Sequence, residues 1–315
     1  YTQQWNVSIG REFLETAFRI SYIGASAIHL PYRYNINQPR PGIVPFNQNM
    51  RPFPFVRNIT FVDTGGTQSY QAFQIEANRR MRKGLFLNAH WTWASNITDS
   101  PDDSALGTMI ENAYDRRRER GKESFGPRQR FVSNVIYELP VGRGRTFLNQ
   151  VNRAADALVG GWLISFTGQM QSGLFFTPSF SGSDPSNTNT TSGRPDRIKD
   201  GNLSPDQRTL DRWFDTSAFT VPPQGRFGNA GKGILEGPGT MMLNAALYKY
   251  FKPTERFSVR VEGQALNVLN HPNFMNPASN ISVPGTVGRI TAVAGTLTEV
   301  GGGARAIRLT LRVEF

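Results

Sequence analysis

The sequence predicts an all-β protein, namely a segment of an antiparallel transmembrane β-barrel. Three observations lead to this fold class. Apolar and polar residues alternate along about nine stretches, as on a strand with one apolar face. Most of these stretches run for roughly 9–13 residues, which is long for a soluble sheet. The connectors between them alternate between short and long, as they do in outer-membrane barrels.

The clearest alternation lies at the C-terminus. The odd positions there are apolar: Ile307, Leu309, Leu311, Val313 and Phe315. The even positions are mostly polar or charged: Ala306, Arg308, Thr310, Arg312 and Glu314. A strand with this pattern turns one face to an apolar medium and the other to water.

Eight earlier stretches repeat the pattern. They lie near residues 5–9, 18–22, 73–77, 85–93, 131–139, 162–170, 241–247 and 257–265. In the last of these the phase slips from Leu266, which predicts a bulge or the exit of the strand. Frequent Gly and Pro, 31 and 20 residues, are poorly compatible with long helices.

Strand length and connector length together favour a membrane barrel. Eleven residues at about 3.3 Å each and a tilt of about 45° rise roughly 26 Å, the height of an outer-membrane apolar band. Short turns are predicted at Arg11–Glu12–Phe13, Arg82–Lys83 and Lys252–Glu255, with an intermediate connector at 141–161. Long loops are predicted at 24–66, 96–127, 177–239 and 271–303. Counted back from a periplasmic C-terminus, every short turn falls on the periplasmic side, so the long loops are expected to be extracellular.

Composition limits the classes of protein. The net charge of +11 first suggests nucleic acid, but the basic residues are spread along the chain, so we expect no nucleic-acid partner. With no cysteine, disulfides and thiolate metal sites are excluded. No run of 18 apolar residues is present, which excludes a transmembrane helix. The sequence opens without a signal peptide and inside a predicted strand, so we expect a longer chain upstream.

A soluble β-sandwich or lectin is the alternative fold. It explains the alternation, but it explains neither the strand length nor the difference between the two sets of connectors.

Several segments resemble Oar-like TonB-dependent transporters. The first comprises Arg128–Gln129–Arg130–Phe131 and Tyr137–Glu138–Leu139–Pro140–Val141–Gly142–Arg143–Gly144–Arg145, followed by Gly160–Gly161–Trp162. The others are Trp213–Phe214–Asp215–Thr216–Ser217–Ala218–Phe219, Gly225–Arg226–Phe227–Gly228–Asn229–Ala230–Gly231 leading to Gly237–Pro238–Gly239, and Glu262 with Asn267–Val268–Leu269–Asn270–His271–Pro272–Asn273–Phe274. The terminal Phe315 is similar to the aromatic residue that outer-membrane assembly machinery favours. The resemblance covers most of the chain from Arg128 onward, and its specificity lies in the order and spacing of the segments.

The resemblance implies a function and a set of partners. Residues 1–315 are expected to be the C-terminal portion of a TonB-dependent-receptor barrel in the outer membrane of a Gram-negative bacterium. Its plug domain, its TonB contact and a carboxypeptidase-regulatory-like domain lie outside this chain. The expected function is TonB-dependent uptake of a solute through a barrel that is not an enzyme and holds no cofactor. The partners would be outer-membrane lipid, the plug, the TonB complex and, through the last strand, the assembly machinery. The alternatives are a structural or adhesive barrel and a secreted carbohydrate-binding β-protein.

The phase of the strands predicts where individual side chains point. Lumen-facing candidates are Arg19, Glu76, Arg260, Glu262, Arg308 and Arg312. Candidates for the aromatic girdle at the membrane interface are Trp91, Trp93, Tyr137, Trp162, Tyr248 and Phe315.

Other motifs favour ordinary interpretations. The three histidines are far apart, and no metal site is expected. Residues 99–104 suit an acidic loop better than a calcium site, because the glycine and distal glutamate of an EF-hand are absent. The polar run that begins at Ser183–Asp184–Pro185 is likewise expected to be a mobile surface loop, too polar to pack. The glycines of 228–233 are misplaced for a phosphate loop and predict positive φ angles instead. The basic cluster 116–120 lies in a predicted outer loop, either solvated or in contact with anions. No recognisable catalytic motif is present.

Overall fold

In the part of the chain that the structure describes, nine long strands form one antiparallel sheet in chain order. The computed structural model of the protein describes residues 1–100, 108–251, 257–294 and 303–315. The strands are β1 (Thr2–Phe13), β2 (Thr16–Asn35), β3 (Thr60–Arg82), β4 (Leu85–Thr98), β5 (Gln129–Glu138), β6 (Trp162–Gln171), β7 (Thr240–Phe251), β8 (Ser258–Leu266) and β9 (Ala306–Glu314). Each pairs with its neighbours in sequence, and within the described residues β1 pairs only with β2 and β9 only with β8.

The connectors contain short helices and strands. One α-helix, α1, spans Arg153–Val159, and 3-10 turns span Gln48–Met50, Arg116–Glu119, Pro205–Gln207 and Thr216–Ala218. Two-residue strands are Thr108–Met109, Gly121–Lys122, Phe175–Phe176, Phe180–Ser181, Ser192–Gly193, Asp196–Arg197, Phe219–Thr220 and Leu235–Glu236. No helix within the described ranges is long and apolar enough to cross a membrane.

The register of the sheet places all the predicted apolar rows on one face. One such row runs across seven strands through Ile9, Ile20, Ile75, Trp91, Phe131, Met170 and Met241. Residues directly opposite one another in a ladder point to the same side. The phase that alternation predicted for separate strands is therefore confirmed as one continuous surface, the outer face.

The two faces differ in exposure. On the outer face large apolar side chains are exposed, for example Leu309 at 83%. On the opposite, inner face small and polar side chains such as Ser21, Ala72 and Ala246 are buried. This is the distribution expected of a sheet that curves around its polar face.

The two rims of the sheet also differ, as predicted. On the turn rim β1 and β2 are joined by Leu14–Glu15, whose φ angles are 47° and 63°, and β3 and β4 are joined by Lys83–Gly84. The first turn was expected at Arg11–Glu12–Phe13, which lies within β1 instead. The sequence offered no Gly or Asn at 14–15, the residues that usually mark such a turn. The expected turn Lys252–Glu255 lies outside the described residues.

The long-loop rim carries strands that extend beyond the predicted bounds. β2 and β3 contain 20 and 23 residues, so both ends of the loop expected at 24–66 are strand and the connector is confined to 36–59. The ladder continues to Asn35 opposite Thr60, with register shifts beside Ile28 and Leu30. Beyond the apolar band neither face of the hairpin has to match lipid. The two strands stay paired through their backbones there, but apolar and polar residues no longer alternate clearly along them.

The phase slip at Leu266 marks the end of a strand. β8 ends at Leu266, and Asn267 follows with φ 46°. Of the two predicted explanations, a bulge or an exit, the exit is correct.

Candidate functional site

The inner face carries the charged side chains that were expected to line a lumen. Arg19 and Glu76 oppose each other on β2 and β3, with Nη1 and Oε2 3.7 Å apart. On β8, Arg260 donates from Nη2 to Glu262 over 2.6 Å. Arg308 and Arg312 lie on β9, opposite Gln264 and Arg260. The structure thus brings these residues together as two patches, separated by strands β4 to β7.

The patch on β8 and β9 sets two arginines side by side. Like charges directly opposite each other destabilise a sheet. Each arginine, however, has a carboxylate on its own strand: Arg260 pairs with Glu262, and Arg312 Nε lies 2.9 Å from Glu314 Oε1. The Arg260 guanidinium also lies 5.1 Å from the ring centroid of Tyr248. The repulsion is therefore balanced within the patch.

Tyr248 requires a correction. It was expected in the membrane girdle, but it stands opposite Leu163 and Glu262 and shares the inner face. The alternation of β7 is interrupted because a charged residue, Lys249, occupies an outward position, and this blurred the phase. The other girdle candidates Trp91, Trp93, Tyr137 and Trp162 have outer-face partners in the register, and Phe315 continues the odd phase of β9.

The connectors of the long-loop rim pack together as a loop cap, formed by residues 36–59, 108–128, 172–239 and 267–294. Its apolar core comprises Phe176, Phe214, Ala218, Phe219 and Leu235. Phe214 meets Phe176 and Phe219 edge to face, with centroids 5.8 and 6.0 Å apart. Aromatic pairs in this geometry stabilise a core beyond their burial. The cap is therefore a folded unit with a core of its own.

One part of the cap corrects a sequence-based expectation. The polar run after Ser183 was expected to be a mobile loop, too polar to pack, but Ser186 and Thr188 are buried. Asp184 organises it: its Oδ1 accepts the Ser186 hydroxyl over 2.8 Å, and its Oδ2 accepts the Asn189 backbone N–H over 2.6 Å. Side-chain bonds to the local backbone thus replace the missing apolar contacts.

A buried charge network joins three segments of the cap. Glu119, which is 1% exposed, accepts from Arg194 Nη2 over 3.0 Å and lies 2.6 Å from Lys232 Nζ. Arg194 Nε also donates to Glu111 over 3.1 Å, and Arg118 Nη2 lies 3.4 Å from the same carboxylate oxygen. The basic cluster at 116–120 is therefore partly neutralised inside the cap and is not wholly solvated.

A cavity of about 730 Å³ opens between the cap and the ends of β2 and β3. Twelve of its lining side chains carry hydroxyl or amide groups: Asn35, Gln38, Asn58, Thr60, Thr177, Ser179, Ser181, Asn189, Thr190, Thr191, Ser192 and Asn280. The charged lining side chains among the described residues are Glu111, Glu119, Arg194 and Lys232, all members of the network above. The cavity thus offers many hydrogen-bonding groups and little unbalanced charge.

Elsewhere in the cap, ion pairs lower the pKa of two carboxyl groups. Arg226 Nη2 donates to Asp196 over 2.5 Å, and this hydrogen bond holds the pKa of Asp196 below its ordinary value of 3.8. Lys199, 2.8 Å from Asp215, lowers the pKa of that carboxyl in the same way. Both groups stay ionised well into the acid range.

The remaining sequence candidates have structural roles. Asp99 pairs with Arg116 over 3.1 Å, while Pro101–Asp102–Asp103–Ser104 lie outside the described residues. In the glycine-rich loop the predicted positive φ is confirmed at Gly233, with φ 62°, but not at Gly228 or Gly231. The part of the chain that the structure describes contains no cluster of histidine and acidic residues able to hold a metal.

Sequence reasoning missed Asn37. This fully buried residue donates from its amide to the carbonyls of Phe53, Val56 and Arg57 at 2.9, 2.8 and 2.6 Å, and accepts from the Phe53 N–H. It ties the proline-rich connector 36–59 into a fixed shape. A lone asparagine in such a segment gives no periodic signal; the density of prolines was the only hint that the connector is rigid.

Comparison with known proteins identifies a family for most of the chain. The profile of the outer membrane beta barrel domain family matches residues 1–308. No curated protein sequence matches the chain. Among solved structures, the outer membrane transporter YddB from Escherichia coli is 10% identical with a TM-score of 0.46, over 99% of this chain and 32% of the transporter. BauA, the ferric preacinetobactin receptor from Acinetobacter baumannii, is 10% identical with a TM-score of 0.46, over 100% and 29%. The chain thus spans about a third of the length of these proteins.

Proposed function

Since this chain belongs to the outer membrane beta barrel domain family and so lies in the bacterial outer membrane, we propose that it forms part of the barrel of an Oar-like TonB-dependent transporter. The barrel carries a solute inward past a plug, in a step coupled to the TonB complex. It acts by binding and passage, and catalyses no reaction. The soluble sandwich and the secreted carbohydrate-binding protein are set aside, because both place the apolar outer face in water.

The resemblance to Oar-like transporters is supported by the places its motifs occupy. Trp213–Phe219 supplies three residues of the cap core, Phe214, Ala218 and Phe219. Gly225–Gly231 passes so close to the segment after Arg194 that a Cβ at Gly228 would lie 2.0 Å from the Arg194 carbonyl oxygen. Two of the segments that resemble the family therefore build the cap.

The open edges of the sheet support a larger barrel. β1 and β9 each have one paired edge within the described residues, and an unpaired backbone edge is unfavourable in lipid. We propose that residues 1–315 are the C-terminal portion of the barrel domain and that further strands close it. β9 and Phe315 are then the elements that the assembly machinery engages.

The observation that carries the proposal is the position of the cavity. It lies in the cap on the long-loop rim, which in this family's barrels faces the outside, and the polar inner face begins below it. A solute from outside therefore meets hydrogen-bonding side chains before it reaches the lumen. The inner-face patches around Arg19 and Arg260 would line the passage or hold the plug by charge pairs.

The chemistry of the cavity favours an uncharged solute rich in hydroxyl groups, such as an oligosaccharide. Among the described lining residues the four charged side chains satisfy one another, so a charged solute would have to disrupt buried pairs. Hydroxyl and amide side chains, by contrast, both donate and accept. Phe180 and Pro178 add apolar surface, which suits the C–H face of a sugar ring.

Transport is tested in the source bacterium with the full-length protein and an isogenic tonB deletion. Fluorescent maltohexaose and xylohexaose are the neutral probes, and ferric citrate is the anionic one. We expect surface binding of a neutral probe that depends on this protein, and accumulation that also depends on tonB. Ser192→Leu, which fills the cavity, should reduce binding at least about tenfold, whereas Ser124→Leu, in the cap but away from the cavity, should not.

The outcomes separate the rival functions. Binding without TonB-dependent accumulation would indicate an adhesive or structural barrel and overturn the transporter. TonB-dependent accumulation of ferric citrate alone would leave the transporter standing and overturn the neutral solute.

A further inference from the structure

A lysine occupies the lipid-facing surface of the barrel near the turn rim. Lys249 stands in the outer-face row between Trp162 and Val261, and Leu311 follows in the same row. A charged side chain exposed to lipid is unfavourable. Yet Lys249 is only 4% exposed, whereas Leu311 is 69% exposed. Something covers it.

The covering element is α1. The Lys249 ammonium donates to the carbonyl oxygen of Ala157 over 2.6 Å and also to that of Gly160. These carbonyls belong to the last turn of α1 and its C-cap, where a helix has unpaired acceptors and a negative dipole end. Trp162 adds a second link, because its indole N–H donates to the Leu158 carbonyl over 2.8 Å. The C-terminal end of α1 therefore lies against the outer wall of the barrel.

The connector around α1 presents apolar and basic groups. Phe147, Leu148 and Leu158 are more than half exposed, and Arg143 and Arg153 are exposed as well. Its shape is fixed: Asp156 accepts the Arg143 N–H over 2.6 Å, and a Cβ at Gly142 would lie 2.8 Å from the Cα of Gly160. Exposed leucine and phenylalanine beside arginine is the composition of segments that lie in a membrane interface.

We infer that residues 139–161 form a lipid-binding foot, which inserts its apolar side chains into the periplasmic leaflet and binds anionic phospholipid head groups. The foot continues the lipid-facing surface established by the outer face. Its side of the barrel faces the periplasm, so its partner is phospholipid of that leaflet. Lys249 holds the foot against the wall, and the arginines supply the charge that anionic head groups complement.

This role accounts for a motif that transport leaves unexplained. The segment from Leu139 to Arg145 and the pair Gly160–Gly161 before Trp162 lie outside the nine long strands and outside the loop cap. In the foot they set the close approach of the chain to α1 and the position of Trp162.

The test uses full-length protein in nanodiscs, with a bimane label on Leu158→Cys. This chain contains no cysteine, so it contributes no second label site, and any cysteine elsewhere in the full-length protein is replaced first. Leu309→Cys, on the outer wall, is the lipid control, and Gln207→Cys, exposed in the cap, is the aqueous control. With acyl chains brominated near the head group, we expect quenching of the Leu158 label to at least half that of Leu309. Quenching no greater than that of Gln207 would overturn the foot.

Two further experiments test whether Lys249 tethers the foot to the barrel wall and which class of lipid the foot binds. Lys249→Met should reduce the quenching at Leu158 at least about twofold, whereas Lys83→Met, on the same rim, should leave it unchanged. Brominated phosphatidylglycerol mixed with unlabelled phosphatidylcholine should quench at least about twofold more per mole of brominated lipid than brominated phosphatidylcholine mixed with unlabelled phosphatidylglycerol. Arg143→Gln with Arg153→Gln should remove that preference. An unchanged signal in Lys249→Met overturns the tether, and equal quenching by both lipids overturns the anionic preference.

Discussion

Arg194 donates from Nη2 to Glu119 over 3.0 Å, and both side chains are buried where three segments of the loop cap meet. Lys232 approaches the second oxygen of the same carboxylate. A single glutamate therefore joins the segments around residues 119, 194 and 232. Since the cavity is lined by the same three residues, the network both shapes the cavity and neutralises it.

Glu119→Gln should loosen the cap. Two cations would lose their shared counter-ion in a buried site, where breaking a pair costs about 3–5 kcal/mol. Hydrogen exchange of peptides covering 108–122 and 190–197 should accelerate accordingly. The exposed pair Arg289–Asp211, at 2.7 Å, provides the control. Asp211→Asn should lower the free energy of opening measured by exchange by no more than the contribution of an exposed ion pair, about 1 kcal/mol. An equally small effect of Glu119→Gln would contradict the role assigned to Glu119.

Phe214→Ala should unfold the cap while the sheet persists. The ring fills the core of the cap and contacts two other aromatic rings, and such truncations cost about 3–5 kcal/mol. Limited proteolysis should cut within 172–239, while heat-modifiable migration of the barrel on gels is retained. Phe55→Ala, at a fully exposed ring, should leave the cap resistant. Loss of the barrel band in Phe214→Ala would show that cap and sheet fold as one unit.

Acid should weaken the cap in a defined direction. The hydrogen bond from Arg226 lowers the folded-state pKa of Asp196 below 3.8. A lowered pKa means that this carboxylate stabilises the cap above pH 3.8, and that the contribution is lost as pH falls below 3.8 through the folded value. The rate of cleavage by pepsin near Asp196 should rise through that window.

Asp196→Asn provides the comparison for the acid experiment. It lacks the titrating group, so its cleavage should be faster at neutral pH, measured there with a neutral protease, and should change less between pH 4 and pH 2. A variant with the same pH dependence as the native chain would assign the effect to other carboxyl groups, Asp215 first among them.

Neighbouring residues of β9 should respond oppositely to the same substitution. Leu309→Arg places a cation on the outer face, where arginine costs about 2–4 kcal/mol at the bilayer midplane and less toward the interfaces. Thr310→Arg places it on the inner face beside Glu262, its partner in the ladder, and should be tolerated. The folded fraction recovered from outer membranes measures both. Equal loss would contradict the assignment of the two faces.

The alternation of apolar and polar residues predicted the sheet well because the face that contacts lipid must be apolar. Every odd position from Ile307 to Val313 is exposed and apolar, and no other local force produces that regularity over nine strands. Outside the apolar band the predicted strand ends were wrong. β2 and β3 continue past the band to Asn35 and Thr60, and the paired residues there show no clear period in the sequence.

The cap could not be predicted, because it is stabilised by single contacts between distant residues. Asn37, Asp184 and Glu119 each satisfy several backbone or charged groups, and none belongs to a repeating pattern. Tyr248 was misplaced for a related reason. Lys249 occupies an outward position only because α1 covers it, and that cover becomes visible only in three dimensions.

The height of the β2–β3 hairpin has a further consequence. From Tyr22, which lies level with the outer end of β5 through Phe73 and Trp93, β2 continues to Asn35. That stretch measures about 43 Å along the strand and rises roughly 30 Å if it keeps the tilt of the barrel. The mouth of the cavity is thereby raised well clear of the bilayer surface, so molecules too bulky to approach the lipid head groups can still reach it.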